Sequence, residues 1–244
     1  MRYIMRISYD GSMYSGFQCQ KDKVTIQGKI EKALESVFKK HIPIITSGRT
    51  DAGVSAISQI SHFDIDEELS CNKVRGYLNA LLDNDIRILE IVKVDYDFHA
   101  RYSSKRKTYE YYFYVGHDII PFYEKFAVNI GYNVNISIMQ LACKYFIGVH
   151  DFSAFCASNT SVKDKTREIY DAHIDCLDDD LYKFVVTGNG FLYNMVRIIM
   201  GTLVDVGMGK KTADEICTVI NSKDRKMAGK TMPSKGLVLK KVVY

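Results

Sequence analysis

The 244 residues are 47% hydrophobic and 25% charged, with 16 glycines and only three prolines, which excludes collagen-like and low-complexity chains. A chain of this length forms one large domain or two small ones and buries roughly three quarters of its unfolded surface, so it needs neither disulfides nor a structural metal to fold. The net charge of +4 is uneven: residues 205–244 hold nine Lys/Arg against four Asp/Glu, and such a basic surface attracts polyanions.

In chain order, Tyr3, Met5, Ile7 and Tyr9 alternate with Arg2, Ile4, Arg6 and Ser8, which predicts an opening strand ended by Asp10-Gly11-Ser12. Ile26, Ile30, Ala33, Leu34, Val37 and Phe38 form a helical stripe with Thr25 as N-cap. Strands are expected over 57–63 and 86–94. Between them, Ser70 opens a helix carrying Val74, Tyr77, Leu78 and Leu81. Residues 108–115 read as a strand, five of them aromatic. Ser137 to Gln140 is a capping box for a helix that Gly148 closes. Two alternating runs, 170–176 and 181–187, flank Asp178-Asp179-Asp180 and predict a hairpin. Phe191 to Val206 reads as a buried helix closed by Gly207. Thr212 to Glu215 caps another helix, and residues 238–243 form a last strand.

Hairpins argue for antiparallel pairing. The expected fold class is therefore α+β: a mixed, mainly antiparallel sheet with helices packed on one side. Composition turns basic between Arg101 and Lys107, which places a boundary between subdomains 1–103 and 104–244. The two halves share a strand–helix alternation, and two similar subdomains around a central cleft are expected.

Several function classes drop out. No apolar run reaches the ~18 residues of a membrane span, and the first residues lack a signal-peptide core, so a cytoplasmic location is expected. Six cysteines, none in a Cys-x-x-Cys pair, read as small buried hydrophobes in a reducing compartment. The six histidines lack metal spacing, so no metal is expected. Gly11 and Gly16 have P-loop separation, but Phe17-Gln18 follow where Lys-Ser/Thr is needed. No nucleotide-cofactor fingerprint is present.

The segment Ser47-Gly48-Arg49-Thr50-Asp51-Ala52-Gly53-Val54 stands apart. Glycines on both sides permit tight backbone angles. A guanidinium, a hydroxyl and a carboxylate lie within five residues, and a cation nearby keeps a carboxylate ionised. Such an anion serves as a nucleophile, a base or a metal ligand. The same residues also suit a polar turn in which Asp51 bonds its own backbone.

This segment resembles the catalytic loop of the TruA family of tRNA pseudouridine synthases. Tyr9-Asp10-Gly11-Ser12, with Tyr14 and Gly16-Phe17-Gln18, resembles the family's opening loop, and Thr25-Ile26-Gln27 the start of its first helix. Phe98-His99-Ala100-Arg101 is similar to its central motif, and Lys107-Thr108-Tyr109-Glu110-Tyr111 to its basic-aromatic strand. Gly190 to Arg197, with Gly201-Thr202-Leu203, resembles its C-terminal helix.

The resemblance implies an isomerase converting uridine to pseudouridine at positions 38–40 of the tRNA anticodon stem-loop. It implies a homodimer, and no cofactor. Asp51 would be the catalytic carboxylate and Arg197 the arginine that pairs with it. Tyr109 would pack on the target uracil. Arg49 would bind a backbone phosphate or shape the loop, and Arg101 would join Lys105, Arg106 and Lys107 in a basic run toward RNA. Ser55 stands where family members often carry histidine, which bears on the range of targets. The alternatives at this stage are a paralogue with a narrower range, a tRNA-binding protein without chemistry, and a glycosidase-like hydrolase. The hydrolase would need a second carboxylate such as Asp10 or Asp64.

Overall fold

Alternation along the chain decides the first strand. In the computed structural model, which describes residues 1–117, 120–157 and 162–244, β1 (Arg2–Tyr9) buries Tyr3, Met5, Ile7 and Tyr9 and leaves the intervening residues half-buried. β3 (Ser55–Asp64) and β4 (Ile86–Val94) pair antiparallel on its two sides. On the free side of β3, β2 (Ile45–Thr46) pairs antiparallel at Ser61 and His62, and β10 (Leu237–Val243) pairs parallel at Ser55 and Ala56. Helix α1 (Ile26–Phe38) buries Ile26, Ile30, Ala33 and Leu34, and the Thr25 hydroxyl accepts the Gly28 N–H. Helix α2 (Cys71–Leu81) packs against β4 with a narrower stripe than expected: Val74 and Leu78 are buried, whereas Tyr77 and Leu81 are exposed.

Residues 1–105 and 238–244 form this first compact unit, and residues 106–237 form the second. The sequence divides the chain two residues earlier and leaves the last strand with the second part. β10 instead returns to the edge of β3, with Val238 opposite Ser55 and Leu239 opposite Ala56. A parallel pairing across 183 residues, as between Ser55 and Val238, has no local sequence signal.

In the second unit, β5 (Arg106–Tyr114), β9 (Leu181–Gly188), β8 (Thr166–Asp178) and β7 (Gly148–Asp151) pair antiparallel in that order, and β6 (Val128–Asn129) runs parallel to β5. The expected hairpin is β8–β9, turning at Asp178 to Asp180. Tyr111 and Phe113 are fully buried, and the buried Glu110 is paired with Lys183 at 3.0 Å. The α+β class with mainly antiparallel pairing is therefore the observed one.

Helix termini differ where a better cap lies nearby. Helix α3 (Ile136–Cys143) starts two residues earlier than the Ser137 box predicts, because the Asn135 side chain accepts the Ile138 N–H at 3.1 Å. Gln140, the expected box partner, bonds the Ile174 N–H instead. Gly148, at φ 111°, opens β7 and does not close α3. Helix α4 (Met195–Gly207) begins four residues later than expected, since Asn194 is left-handed at φ 60° and cannot continue a helix. In α5 (Glu215–Ser222) the Thr212 N–H bonds the Glu215 carboxylate, half of the expected box.

All six cysteines are free. Cys143 and Cys156 are buried, but Cys19, Cys176 and Cys217 are exposed, so the expectation of buried hydrophobes fails for those three. No helix among the described residues is long and apolar enough to cross a membrane.

Candidate active site

The chain from β2 to β3 carries the Ser47–Val54 loop, and buried polar groups hold it. The Ser47 N–H donates to Ile60 O at 2.8 Å. Gln59, with no exposed surface, donates from Nε2 to Gly48 O at 2.7 Å; its Oε1 accepts the Ser47 hydroxyl and, at 3.1 Å, the Ile60 N–H. Tyr9, on the neighbouring β1, places its hydroxyl 2.8 Å from the Thr50 hydroxyl and lies beside Gln59. Burial pushes the Tyr9 phenol far above its ordinary value, so it stays neutral in this network.

The opening loop packs onto the same segment, backbone on backbone. Phe17 N–H donates to Thr50 O at 3.1 Å, and Gly53 N–H to Tyr14 O at 3.3 Å. Gly16 takes φ 92°, and a Cβ there would lie 2.9 Å from Thr50 O. At Gly11 a Cβ would lie 2.0 Å from Val54 O, so no side chain fits. Gly53 takes φ 77°, the left-handed angle that only glycine adopts freely, whereas Gly48, the glycine on the other side of the motif, does not take a positive φ. Ser55 accepts the Gly11 N–H at 3.0 Å and thus ties the opening loop to β3. On this frame Asp51 is half-buried and Arg49 is exposed.

Gln59→Leu tests the brace. It takes the close donor from Gly48 O and leaves that carbonyl the Thr46 hydroxyl at 3.4 Å. Weakening a buried polar group costs about 1–3 kcal/mol. At roughly 2–4 °C per kcal/mol for a chain of this size, the melting temperature should fall by about 5 °C in thermal unfolding. Steady-state kinetics should show a lower kcat with KM for RNA nearly unchanged.

Arg101 lies in the exposed turn after β4, close in space to the start of the loop. The Tyr244 hydroxyl donates to Ala100 O at 2.7 Å and lies beside the Ser47 side chain. Arg49, Asp51 and Arg101 thus belong to the first unit.

The other two expected site residues belong to the second. Tyr109 sits on β5 opposite Val186, only 9% exposed, with the Phe191 ring edge-on at 5.1 Å. Arg197 is half-buried on α4, where its Nε donates to Met232 O at 2.6 Å and its Nη1 to Asn194 Oδ1 at 2.7 Å. The left-handed Asn194 that starts α4 therefore also aims the arginine. Met232 N–H returns a bond to Arg197 O at 3.2 Å.

Sequence alone missed Gln59 and Tyr244 as parts of the site, and met Tyr9 only within the opening-loop motif, without its bond to Thr50. Gln59 stands out only as an amide inside a strand, and Tyr9 and Tyr244 look like ordinary strand aromatics.

An RNA-modifying site is the class to which the braced carboxylate loop and the basic surroundings point. The sequence profile described as tRNA pseudouridine synthase matches residues 5–103 and 142–244. The tRNA pseudouridine synthase A of Bacillus subtilis (strain 168) is 43% identical over 246 residues, spanning 100% of this chain and 99% of its own length. Those of Geobacillus sp. (strain WCH70) and Shouchella clausii (strain KSM-K16) are 44% and 42% identical, spanning 98% and 100% of this chain and 96% and 93% of their own. The chain belongs to the TruA family of tRNA pseudouridine synthases.

Proposed function

We propose that this protein isomerises uridine to pseudouridine in tRNA, at positions 38–40 of the anticodon stem-loop, with Asp51 as the catalytic carboxylate. One observation carries the reading. In this member of the family the Arg49-Thr50-Asp51 loop is fixed by buried side chains so that its acid is half-buried rather than free on the surface.

The reaction breaks the N1–C1′ bond and forms a C5–C1′ bond on the same uracil. C5 loses a proton and N1 gains one, so atoms and electrons balance without an oxidant or an energy source. Asp51 takes part as an anion, whether it attacks the base, attacks C1′ or removes the 2′ proton. The family resemblance assigns Arg197 as the cation that keeps it in that form, since an opposite charge favours the ionised carboxylate. Its own fixed bonds to Met232 O and Asn194 support a positioned guanidinium. Tyr109 packs on the extruded uracil, and a ring on a flipped base returns part of the stacking lost from the RNA. The exposed Arg49 and Arg101 neutralise backbone phosphates. We place the enzyme in the cytoplasm as a homodimer, on the strength of the family resemblance.

The test is a pseudouridine map of an unmodified tRNA transcript after incubation with the purified protein. Modification at positions 38–40 is expected. An unmodified transcript, or release of free uracil as a hydrolase would give, overturns the proposal.

A further inference from the structure

Tyr102 exposes 77% of its surface, yet it is not a loose side chain. The His99 ring stacks against it, with centroids 4.3 Å apart and planes at 30°. His99 is itself held: its Nδ1 accepts the N–H groups of Arg101 at 3.2 Å and Tyr102 at 3.3 Å. His99 N–H donates to the Ser103 hydroxyl and Ser103 N–H to His99 O, which closes the turn. The Arg101 guanidinium lies 5.9 Å from the Tyr102 ring. One face of the phenol is covered and the rest is open, beside a cation.

The turn stands on a deep foundation. Arg2 clamps both oxygens of Asp64 at 2.8 Å and donates from Nη1 to the carbonyls of Tyr96 and Phe98. Ala100 N–H donates to Nδ1 of the buried His62 at 3.1 Å. Burial, assisted by the charge of Arg2, lowers His62 to about 4, so it remains a neutral acceptor at ordinary pH. The Phe98 and Tyr244 rings pack at 4.8 Å, and the Tyr244 hydroxyl, which donates to Ala100 O, lies beside Ser47. Ser47 is four residues before Asp51, a reach of at most ~14 Å along the chain.

We propose that the His99–Ser103 turn is a second RNA site: Tyr102 stacks an unpaired base other than the uridine being isomerised, and Arg101 holds the phosphate beside it. An aromatic ring with a nearby cation fits single-stranded nucleic acid, because every base presents a π face. A ring already fixed in place loses little freedom on stacking. The neighbouring cavity, lined by Lys93, Val94, Asp95, Asp97, Phe98 and Ser103, is a poorer seat for phosphate because it holds two aspartates. The site lies near enough to the catalytic loop to grip nucleotides flanking the target. It rests on the tRNA reading above and adds a contact to it.

The chain contains no tryptophan, so Tyr102→Trp installs a single indole reporter at the site. On titration with an anticodon stem-loop RNA, its emission should be quenched to saturation. Tyr102→Ala should weaken binding of that RNA about 5- to 100-fold at every salt concentration, leave the salt dependence unchanged, and be rescued by Tyr102→Phe. Arg101→Ala should lower the slope of log affinity against log salt by about one. Unchanged indole emission at saturation, or Tyr102→Ala binding within two-fold of the parent, overturns the proposal. Pseudouridine formation by the parent protein on the same RNA separates the two failures: its absence sinks the tRNA reading, and its presence with intact Tyr102→Ala binding sinks only the platform.

Discussion

Asp51→Asn is expected to lower pseudouridine formation at least ~1,000-fold while tRNA affinity stays within a few-fold of the parent. The amide matches the carboxylate in shape, so the loop held by Gln59, Tyr9 and Gly16 has no reason to move. What disappears is the anion. An amide neither attacks C1′ or the base nor accepts the 2′ proton, and each tenfold of rate corresponds to 1.36 kcal/mol of barrier. A thousandfold loss is therefore about 4 kcal/mol, well within what the loss of a covalent or basic catalyst removes. Affinity should follow a different account. Phosphate neutralisation carries most of the binding of nucleic acids, and removing one negative charge does not weaken it. Single-turnover conversion and salt-titrated binding, measured on the same preparation, separate the two quantities. Full turnover by the variant would remove Asp51 from the chemistry, and loss of affinity in parallel with turnover would make it a binding residue.

What could be seen in the sequence follows from the range of the interaction involved. Tyr3, Met5, Ile7 and Tyr9 declare β1 through alternation alone, and Thr25 declares the start of α1 through one side-chain bond three residues on. These are local rules and they act locally. Misplaced ends arise where two local rules compete. Asn135 outcompetes Ser137 for the cap of α3, and Asn194 at φ 60° delays α4 despite the apolar residues before it. The candidate residues Arg49, Asp51, Arg101, Tyr109 and Arg197 were visible because short motifs carry them. Their supports were not. Gln59 reaches back across 11 residues to Gly48, Tyr9 across 41 to Thr50, and Tyr244 across 144 to Ala100. Such partners share no period or spacing, so only the folded chain reveals that a strand amide and two tyrosines hold the Ser47–Val54 loop and the turn after β4.

Gly201→Ala should destabilise the protein by about 2 kcal/mol or more, although alanine is the better helix former. On propensity alone the substitution, inside α4, would gain about 1 kcal/mol. Against this, a Cβ at position 201 would lie 1.8 Å from Lys230 O and 3.0 Å from its carbonyl carbon. Gly229 makes the same approach from the other side, where a Cβ would be 2.4 Å from Gly201 C. Helix and segment therefore touch through bare backbone, and Thr202 Oγ1 accepts the Gly229 N–H at 2.9 Å in the same contact. Relief requires one backbone to retreat by an ångström or more, and overpacking of this kind typically costs 1–3 kcal/mol and sometimes more. The retreat would also strain the Arg197–Met232 bonds one turn along, so kcat should fall at temperatures where the variant is still folded. Gly76 provides the contrast. It lies inside α2 with nothing within 4 Å of its would-be Cβ, so Gly76→Ala should leave kcat alone and raise stability by roughly 0.5–1 kcal/mol. Thermal unfolding of the pair, read together with turnover, should thus show opposite signs for one chemical change in two helices. Two variants that shift the melting temperature in the same direction would mean that helix propensity, and not the close approach at Lys230, governs position 201.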